Sequence, residues 1–328
     1  MSRRTPLSDV APELRRRVRL LPPLPLGTSL GLRATRGLTA LAARGGSVAG
    51  VRLRELSAGG VRLRVFTPAP GAPGAGPRAG LLWVHGGGFV IGTAPQDDRF
   101  CATTARNLGI VVASVRYRLA PEHPFPAGVD DAVAGWRWLR ENAAALGVDP
   151  ARIAVGGQSA GGGLAACAVQ RIHDEGPGAP AAQWLFSPML DDRTAARRDL
   201  DGVRHRVWDN RLNGIGWQAY LGTPPGAADV PAYAVAARRA DLSGLPPAWL
   251  GIGTVDLFHD EGLAYVRALR AGGVDCVLDV VPGAPHGFEA WAAGSAPARD
   301  YVGRARSWLG AVLDGPAGTR TAASPAAP

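Results

Sequence analysis

The stretch Ile153-Ala154-Val155-Gly156-Gly157-Gln158-Ser159-Ala160-Gly161-Gly162-Gly163-Leu164-Ala165-Ala166 is where the hydrophobic period of the chain changes from strand to helix. A short apolar, partly β-branched segment passes through a glycine-crowded turn into an alanine-rich helical pattern, with Gly157-x-Ser159-x-Gly161 at the bend. A serine on so tight a strand-to-helix turn is pushed out of the sheet. The glycines two positions to either side are needed because a Cβ there would meet neighbouring backbone. The same turn aims the Ala160 amide and the positive end of the following helix at the space before Ser159, where a developing oxyanion can be held. In a chain with 45 glycines the five-residue pattern decides little alone, so its surroundings must carry the reading.

Upstream, the buried-strand run Gly80-Leu81-Leu82-Trp83-Val84 ends in His85-Gly86-Gly87-Gly88-Phe89. Three glycines straight after a central strand leave backbone amides unobstructed and able to converge on an anion. Between this loop and the elbow the pattern alternates: a helix over Asp97–Leu108, a strand over Ile110–Arg116, a Pro-rich loop, a helix over Val129–Leu146, and a strand over Arg152–Val155. A helix to about Asp174 and a strand over Ala182–Phe186 follow. Such alternation predicts a parallel sheet covered on both faces. It stops from Asp191 to about Ala232, then resumes with strand Ala248–Gly253, helix Asp260–Ala271, strand Cys276–Val281 and helix Ala296–Leu313. Ahead of the alternation, Val51–Ser57 and Val61–Thr67 read as a hairpin turning at Gly59-Gly60, and Pro68–Pro77 as a loop. Residues 1 to 50 hold two helical patterns, Val10–Leu20 and Leu30–Ala43, which cannot bury their apolar faces alone and must lie on another element.

The 328 residues, 46% of them apolar, suffice for one large α/β domain. The formal charge of +9 comes entirely from arginine, with no lysine, and the arginines are scattered among acids. That reads as compositional bias, and Arg15-Arg16-Arg17 as a solvated helix face, so no nucleic-acid partner is expected. No apolar run reaches membrane-span length, and Asp9 and Glu13 interrupt a signal-like beginning, so no stable membrane insertion and a cytoplasmic location are expected. Cys101, Cys167 and Cys276 are widely spaced and read as buried free thiols, with no metal site.

A serine elbow needs a base and a group to orient it. Asp256 follows the strand ending at Gly253, and His286 follows the strand ending at Val281 through Pro282-Gly283-Ala284-Pro285. The order Ser159, Asp256, His286 places all three at carboxyl ends of strands, where sites in open α/β sheets form. Asp260 is a rival acid, but it falls at a helix start, where a carboxylate is stabilising by itself. His85 is read as shaping the glycine loop, His123 as structural, and His173, His205 and His259 as surface or helix-end residues.

The pieces His85-Gly86-Gly87-Gly88-Phe89, Tyr117-Arg118-Leu119-Ala120-Pro121-Glu122-His123-Pro124-Phe125-Pro126-Ala127, Gly157-Gln158-Ser159-Ala160-Gly161-Gly162, Asp256-Leu257-Phe258-His259-Asp260-Glu261-Gly262 and His286-Gly287-Phe288 occur in one order. With them the chain resembles the hormone-sensitive-lipase-like branch of α/β-hydrolase esterases, the bacterial family IV carboxylesterases. The resemblance implies an α/β-hydrolase fold with a mostly parallel eight-stranded sheet flanked by helices and a helical cap. It divides the chain into an amino-terminal cap segment (1–50), a catalytic domain (51–190 and 233–313) and a cap insertion (191–232); composition marks 314–328 as a disordered tail. It implies Ser159 as nucleophile, His286 as general base and then acid, and Asp256 as its orienting carboxylate. The amides of Gly87, Gly88 and Ala160 would bind the oxyanion, with Gly86 shaping the loop. Phe89, Trp208, Trp217 and Tyr220 are candidates for the substrate pocket or for plain cap core. No cofactor is implied, the substrate is a small acyl ester of short or medium chain, and a homodimer through the sheet edge is permitted. An N-acyl amide hydrolase with the same triad, and a non-catalytic small-molecule receptor on the same scaffold, are the alternatives. One departure stands out: where the family usually has Asp or Thr, this chain has Gln158.

Overall fold

The computed structural model describes residues 3–43, 45–69, 76–176 and 178–315. The chain begins with a two-residue strand, β1 (Arg3–Arg4), then helices α1 (Pro12–Arg19) and α2 (Ser29–Ala42), the latter capped by the Thr28 hydroxyl accepting from the Gly31 amide at 3.1 Å. α1 turns Leu14 and Val18 inward and presents its arginines to solvent, whereas α2 buries only Thr35 and leaves Leu30, Leu38 and Leu41 exposed. The hairpin strands β2 (Val51–Ala58) and β3 (Val61–Pro68) pair antiparallel and form one edge of the main sheet. Of the loop expected over Pro68–Pro77, residues 70–75 lie outside the described residues.

The alternating section then builds the sheet: β4 (Arg78–Val84), α3 (Asp98–Leu108), β5 (Val111–Arg116), α4 (Ala127–Glu141), α5 (Ala143–Leu146), β6 (Val148–Gln158), α6 (Ala160–Glu175) and β7 (Gln183–Phe186). Most boundaries differ from the sequence reading by a few residues, and two of the shifts have a visible cause. The helix expected over Val129–Leu146 breaks at Asn142, whose side chain donates to the Trp138 carbonyl at 2.9 Å and so satisfies a helix-end acceptor. β6 starts at Val148, because that residue pairs with Arg78 across an irregularity in β4 before regular pairing begins at Gly80 and Ile153.

After β7 come α7 (Asp192–Ala196), the two-residue β8 (Val203–Arg204), which pairs parallel with β1, and α8 (Asn210–Leu221). The sheet is completed by β9 (Ala248–Gly253), α9 (His259–Ala271) and β10 (Cys276–Val281), followed by the short α10 (Phe288–Trp291) and α11 (Ala296–Asp314). From Pro316 onward the expected carboxy-terminal tail lies outside the described residues, and Asp314 is still helical.

The eight strands run in the order β10-β9-β7-β6-β4-β5-β3-β2, and all pairings from β5 through β4 to β10 are parallel. Strands covered on both faces read as continuous apolar runs, as in Leu81–Val84 and Ala248–Gly253, every residue of which is buried. One apolar core joins α4 and α6 to the sheet, and a second joins α1, α3 and α11 to its other face around Trp83, Trp184, Phe186 and Trp249. The central strand β6 is therefore held from both sides, with its carboxyl end leading into the elbow. Among the described residues, no helix is long and apolar enough to cross a membrane.

Candidate functional site

Ser159 sits between β6 and α6 at φ 57° and ψ −124°, a backbone region that L-residues seldom enter. Three backbone bonds hold it there: its amide donates to Phe186 of β7 at 2.9 Å, and its carbonyl accepts from Gly163 and Met189, both at 3.0 Å. The flanking glycines are sterically required. A Cβ on Gly157 would meet the Val84 and Gly161 carbonyls, and one on Gly161 the carbonyls of Val84 and His85. Substitution at either would push α6 off the end of β4.

The glycine loop after β4 is built by the same logic. Gly87 and Gly88 have φ of 136° and 57°, a Cβ on Gly87 would meet the Ile91 carbonyl, and one on Gly88 the indole of Trp208. The Gly87 carbonyl accepts from Val90 and Ile91 at 3.1 and 2.9 Å, which turns the loop back on itself. Among the described residues no acceptor is paired with the amides of Gly87 or Gly88. Ala160 begins α6, where amides have no intrahelical acceptor. His85 is buried, stacks on Tyr117 with ring centroids 4.3 Å apart, and donates from Nδ1 to the Gly86 carbonyl at 2.8 Å. Burial pushes its pKa down to about 4, so the ring is neutral at pH 7 and braces the loop.

His286 lies in the loop between β10 and α10, brought beside the elbow with its Nε2 2.7 Å from Ser159 Oγ. Its Nδ1 is 2.8 Å from Asp256 Oδ2, and the other Asp256 oxygen accepts from the Phe258 amide at 3.0 Å. A carboxylate can only accept, so the proton resides on Nδ1 and Nε2 is free to accept from the serine hydroxyl. All three side chains are buried. Burial alone would lower the His286 pKa, but the Asp256 carboxylate outweighs it and raises the imidazole above its ordinary 6.5. Asp260, the rival acid, instead projects to solvent in the first turn of α9 beside His259.

The four aromatic candidates are all buried close to the glycine loop. Phe89 stacks on Tyr220 at 4.2 Å and packs on Trp217 at 4.9 Å, both from α8. α8 approaches closely because Gly216 has no side chain: a Cβ there would lie 2.7 Å from the Gly88 carbonyl. Trp208 covers Gly88 of the glycine loop, whereas Phe89, Trp217 and Tyr220 pack on one another beneath α8. His205 is half-buried and in no helix, and burial keeps its pKa low.

Four supporting residues were given no role by the sequence, although Tyr117 and Glu261 fall within stretches that carry the family resemblance. Tyr117 donates to the His85 carbonyl at 3.2 Å, and Gln96 to the Gly86 carbonyl at 3.3 Å. Glu261 of α9 accepts from the Leu190 amide at 2.7 Å where the 191–232 segment leaves the sheet, and burial raises its carboxyl to about 8. Arg36 of α2 donates to the carbonyls of Val90 and Ala120, both at 2.7 Å, and to Glu122. Each acts on a backbone group distant in sequence. Gln158, the departure at the elbow, places its Oε1 against Gly86 and its Nε2 toward Gly287, so its carboxamide fills the gap between the glycine loop and the residue after His286. Among the described residues no three His, Cys, Asp or Glu side chains are grouped to hold a metal ion.

Residues 81–290 match the family model described as alpha/beta hydrolase fold. The chain belongs to this family, in its hormone-sensitive-lipase-like branch of carboxylic ester hydrolases. It is 37% identical over 229 residues to carboxylesterase NlhH of Mycobacterium tuberculosis, covering 68% of this chain and 70% of that protein. Ethyl acetate hydrolase of Pseudomonas putida is 36% identical over 235 residues, covering 69% of this chain and 70% of that one. Among solved structures, a bacterial heroin esterase superposes with a TM-score of 0.86 at 38% identity, over 94% of this chain and 99% of the other.

Proposed function

We propose that this protein is a serine carboxylesterase that hydrolyses small acyl esters of short to medium chain through an acyl-Ser159 intermediate. The observation that carries the reading is the unbroken hydrogen-bonded series from Ser159 Oγ through His286 to Asp256, at 2.7 and 2.8 Å, beside unpaired loop amides. His286 Nε2 takes the Ser159 proton as Oγ attacks the ester carbonyl. The tetrahedral oxyanion is held by the amides of Gly87, Gly88 and Ala160, groups fixed in place before the charge develops. His286 then returns the proton to the departing alkoxide. Water, deprotonated by His286, attacks the acyl carbon in turn and releases the acid and Ser159 Oγ–H. Asp256 keeps the Nδ1 proton in place and stabilises the imidazolium that forms in each half-reaction.

The segments 1–50 and 191–232 act in this reading as the cap. Their link through β1 and β8, and the seating of α2 and α8 on the glycine loop, support that role. Trp208 over Gly88 favours modest acyl groups, and the kinship with an ethyl acetate hydrolase points the same way. The test is a p-nitrophenyl ester series, from acetate to a long-chain acyl group, with wild type and Ser159→Ala. Turnover by the wild type, highest at short or medium chains and lost in the variant, together with an acyl mass adduct on the peptide containing Ser159, supports the proposal. Cleavage of anilides in preference to esters would replace it with an amide hydrolase.

A further inference from the structure

Behind the elbow, on the face of the sheet away from α6, the described residues line a partly open cavity of about 790 Å³ between α3, α10 and α11. None of Ser159, Asp256 or His286 lines it. Its inner wall is aromatic and acidic: Trp83, Phe100 and Phe186 with Asp97 and Glu289. Glu289 is 6% exposed, and neither of its carboxyl oxygens has a partner. Asp97 accepts from the Trp83 indole at 2.8 Å. Arg99, Arg299 and Arg306 line the same cavity, yet no guanidinium pairs with either acid among the described residues. Arg306 donates instead to Thr103 and Thr104, both at 3.0 Å, and lies over the Phe100 ring, while Arg299 donates to the Gly294 carbonyl.

A buried carboxylate without a counter-charge is strongly unfavourable unless it is neutralised or paired. Burial accordingly pushes both acids up, Asp97 to about 6 and Glu289 to about 7. An aromatic wall beside an unpaired carboxylate is the surface that desolvates and holds an organic cation: the carboxylate supplies the counter-charge, and ring faces attract the positive end.

We propose that this cavity binds a small organic ammonium ion, its nitrogen on the Glu289 carboxylate with Asp97 alongside, and its apolar body against Trp83 and Phe100. The site also touches the reaction centre from behind. Gln158 forms part of its lining, and the same carboxamide packs against Gly86 and faces Gly287, so an occupant abuts the side chain that spaces the glycine loop from the His286 loop.

The experiment is a calorimetric titration of the full-length protein at pH 8 with benzylamine, and with benzyl alcohol as the uncharged probe of the same shape. One saturable benzylamine site is expected, at least tenfold weaker in Glu289→Gln, weakened in Phe100→Leu, and at least tenfold tighter than benzyl alcohol. If Glu289→Gln melts well below the wild type, Asp97→Asn, which keeps an acceptor for Trp83, reads the same loss. Benzylamine affinity unchanged in a stably folded Glu289→Gln, equal affinity for the alcohol, or no saturable heat would each overturn the assignment, the second leaving an apolar cleft indifferent to charge and the last a merely hydrated one.

Discussion

The floor and the roof of the site are held by different kinds of force. Beneath, Ser159, Asp256 and His286 hang from strand ends of a sheet buried on both faces, and their spacing is set by backbone hydrogen bonds and by glycines that admit no Cβ. Above, the amino-terminal segment and residues 191–232 are held by side chains: Leu14 and Val18 of α1 and Trp217 and Tyr220 of α8 are buried in the two cores, and arginines add polar clamps. Arg36 clamps α2 to Val90, Ala120 and Glu122; Arg238 grips Asp192 at the start of α7; β1 and β8 share only two residue pairs. The floor is fixed through backbone bonds and sterics, the roof through side chains. Under the proposed function, chemistry that needs tolerances of a few tenths of an ångström rests on the first, and admission of substrate on the second.

Substitutions can break this contrast. The largest effect is expected on the floor: Ser159→Ala lowers kcat by roughly 10⁶, read with p-nitrophenyl acetate. Asp256→Asn follows, with a loss of about 10⁴ in kcat. In the wild type the active form has neutral His286, so kcat/KM falls as pH drops through a pKa above 6.5. Removing the carboxylate removes what raises that pKa, so in Asp256→Asn the acidic limb moves to lower pH; a pH–rate profile with an unmoved limb contradicts the assignment. Gly88→Ala, forcing a methyl against Trp208 and displacing one oxyanion donor, should cost about 10²–10³ in kcat. On the roof the scale changes. Arg36→Ala leaves two buried carbonyls without their donor, lowers stability by about 1–3 kcal/mol and raises KM more than it lowers kcat, checked by thermal melts and initial rates. Glu122→Ala, removing a partner whose side chain is 56% exposed, should cost no more than about 1 kcal/mol. If Glu122→Ala matches Arg36→Ala, the clamp resides in the ion pair and not in the backbone carbonyls.

The floor was legible in the sequence because its demands are local. Gly157 and Gly161 flank Ser159 since sterics over five residues leave no alternative, and Asp256 and His286 fall a few residues beyond strand ends that apolar runs declare. The parallel sheet covered on both faces could be anticipated from the alternation, and its eight strands from the family resemblance, whereas the order of the strands was not read from the sequence. The roof was not legible in the same way. α1 and α2 are visible as helical patterns, but nothing local says that α1 buries Leu14 and Val18 in the second core, against the Gly283 turn, while α2 reaches the glycine loop through Arg36. One arginine among 36 carries no mark of such a role. Tyr117, Gln96 and Glu261 escaped for the same reason: each acts on a backbone group that the chain meets only after folding. Gln158 was visible as a departure, yet its packing against Gly86 and Gly287 emerges only when the two loops lie side by side.

Ser159 carries a positive φ that a glycine would tolerate and a serine resists. The elbow is thus a loaded spring whose catch is the surrounding sheet, and whatever loosens the catch lets the spring relax locally. Because the sheet is the catch, turnover and circular dichroism followed through one thermal ramp are expected to fall together.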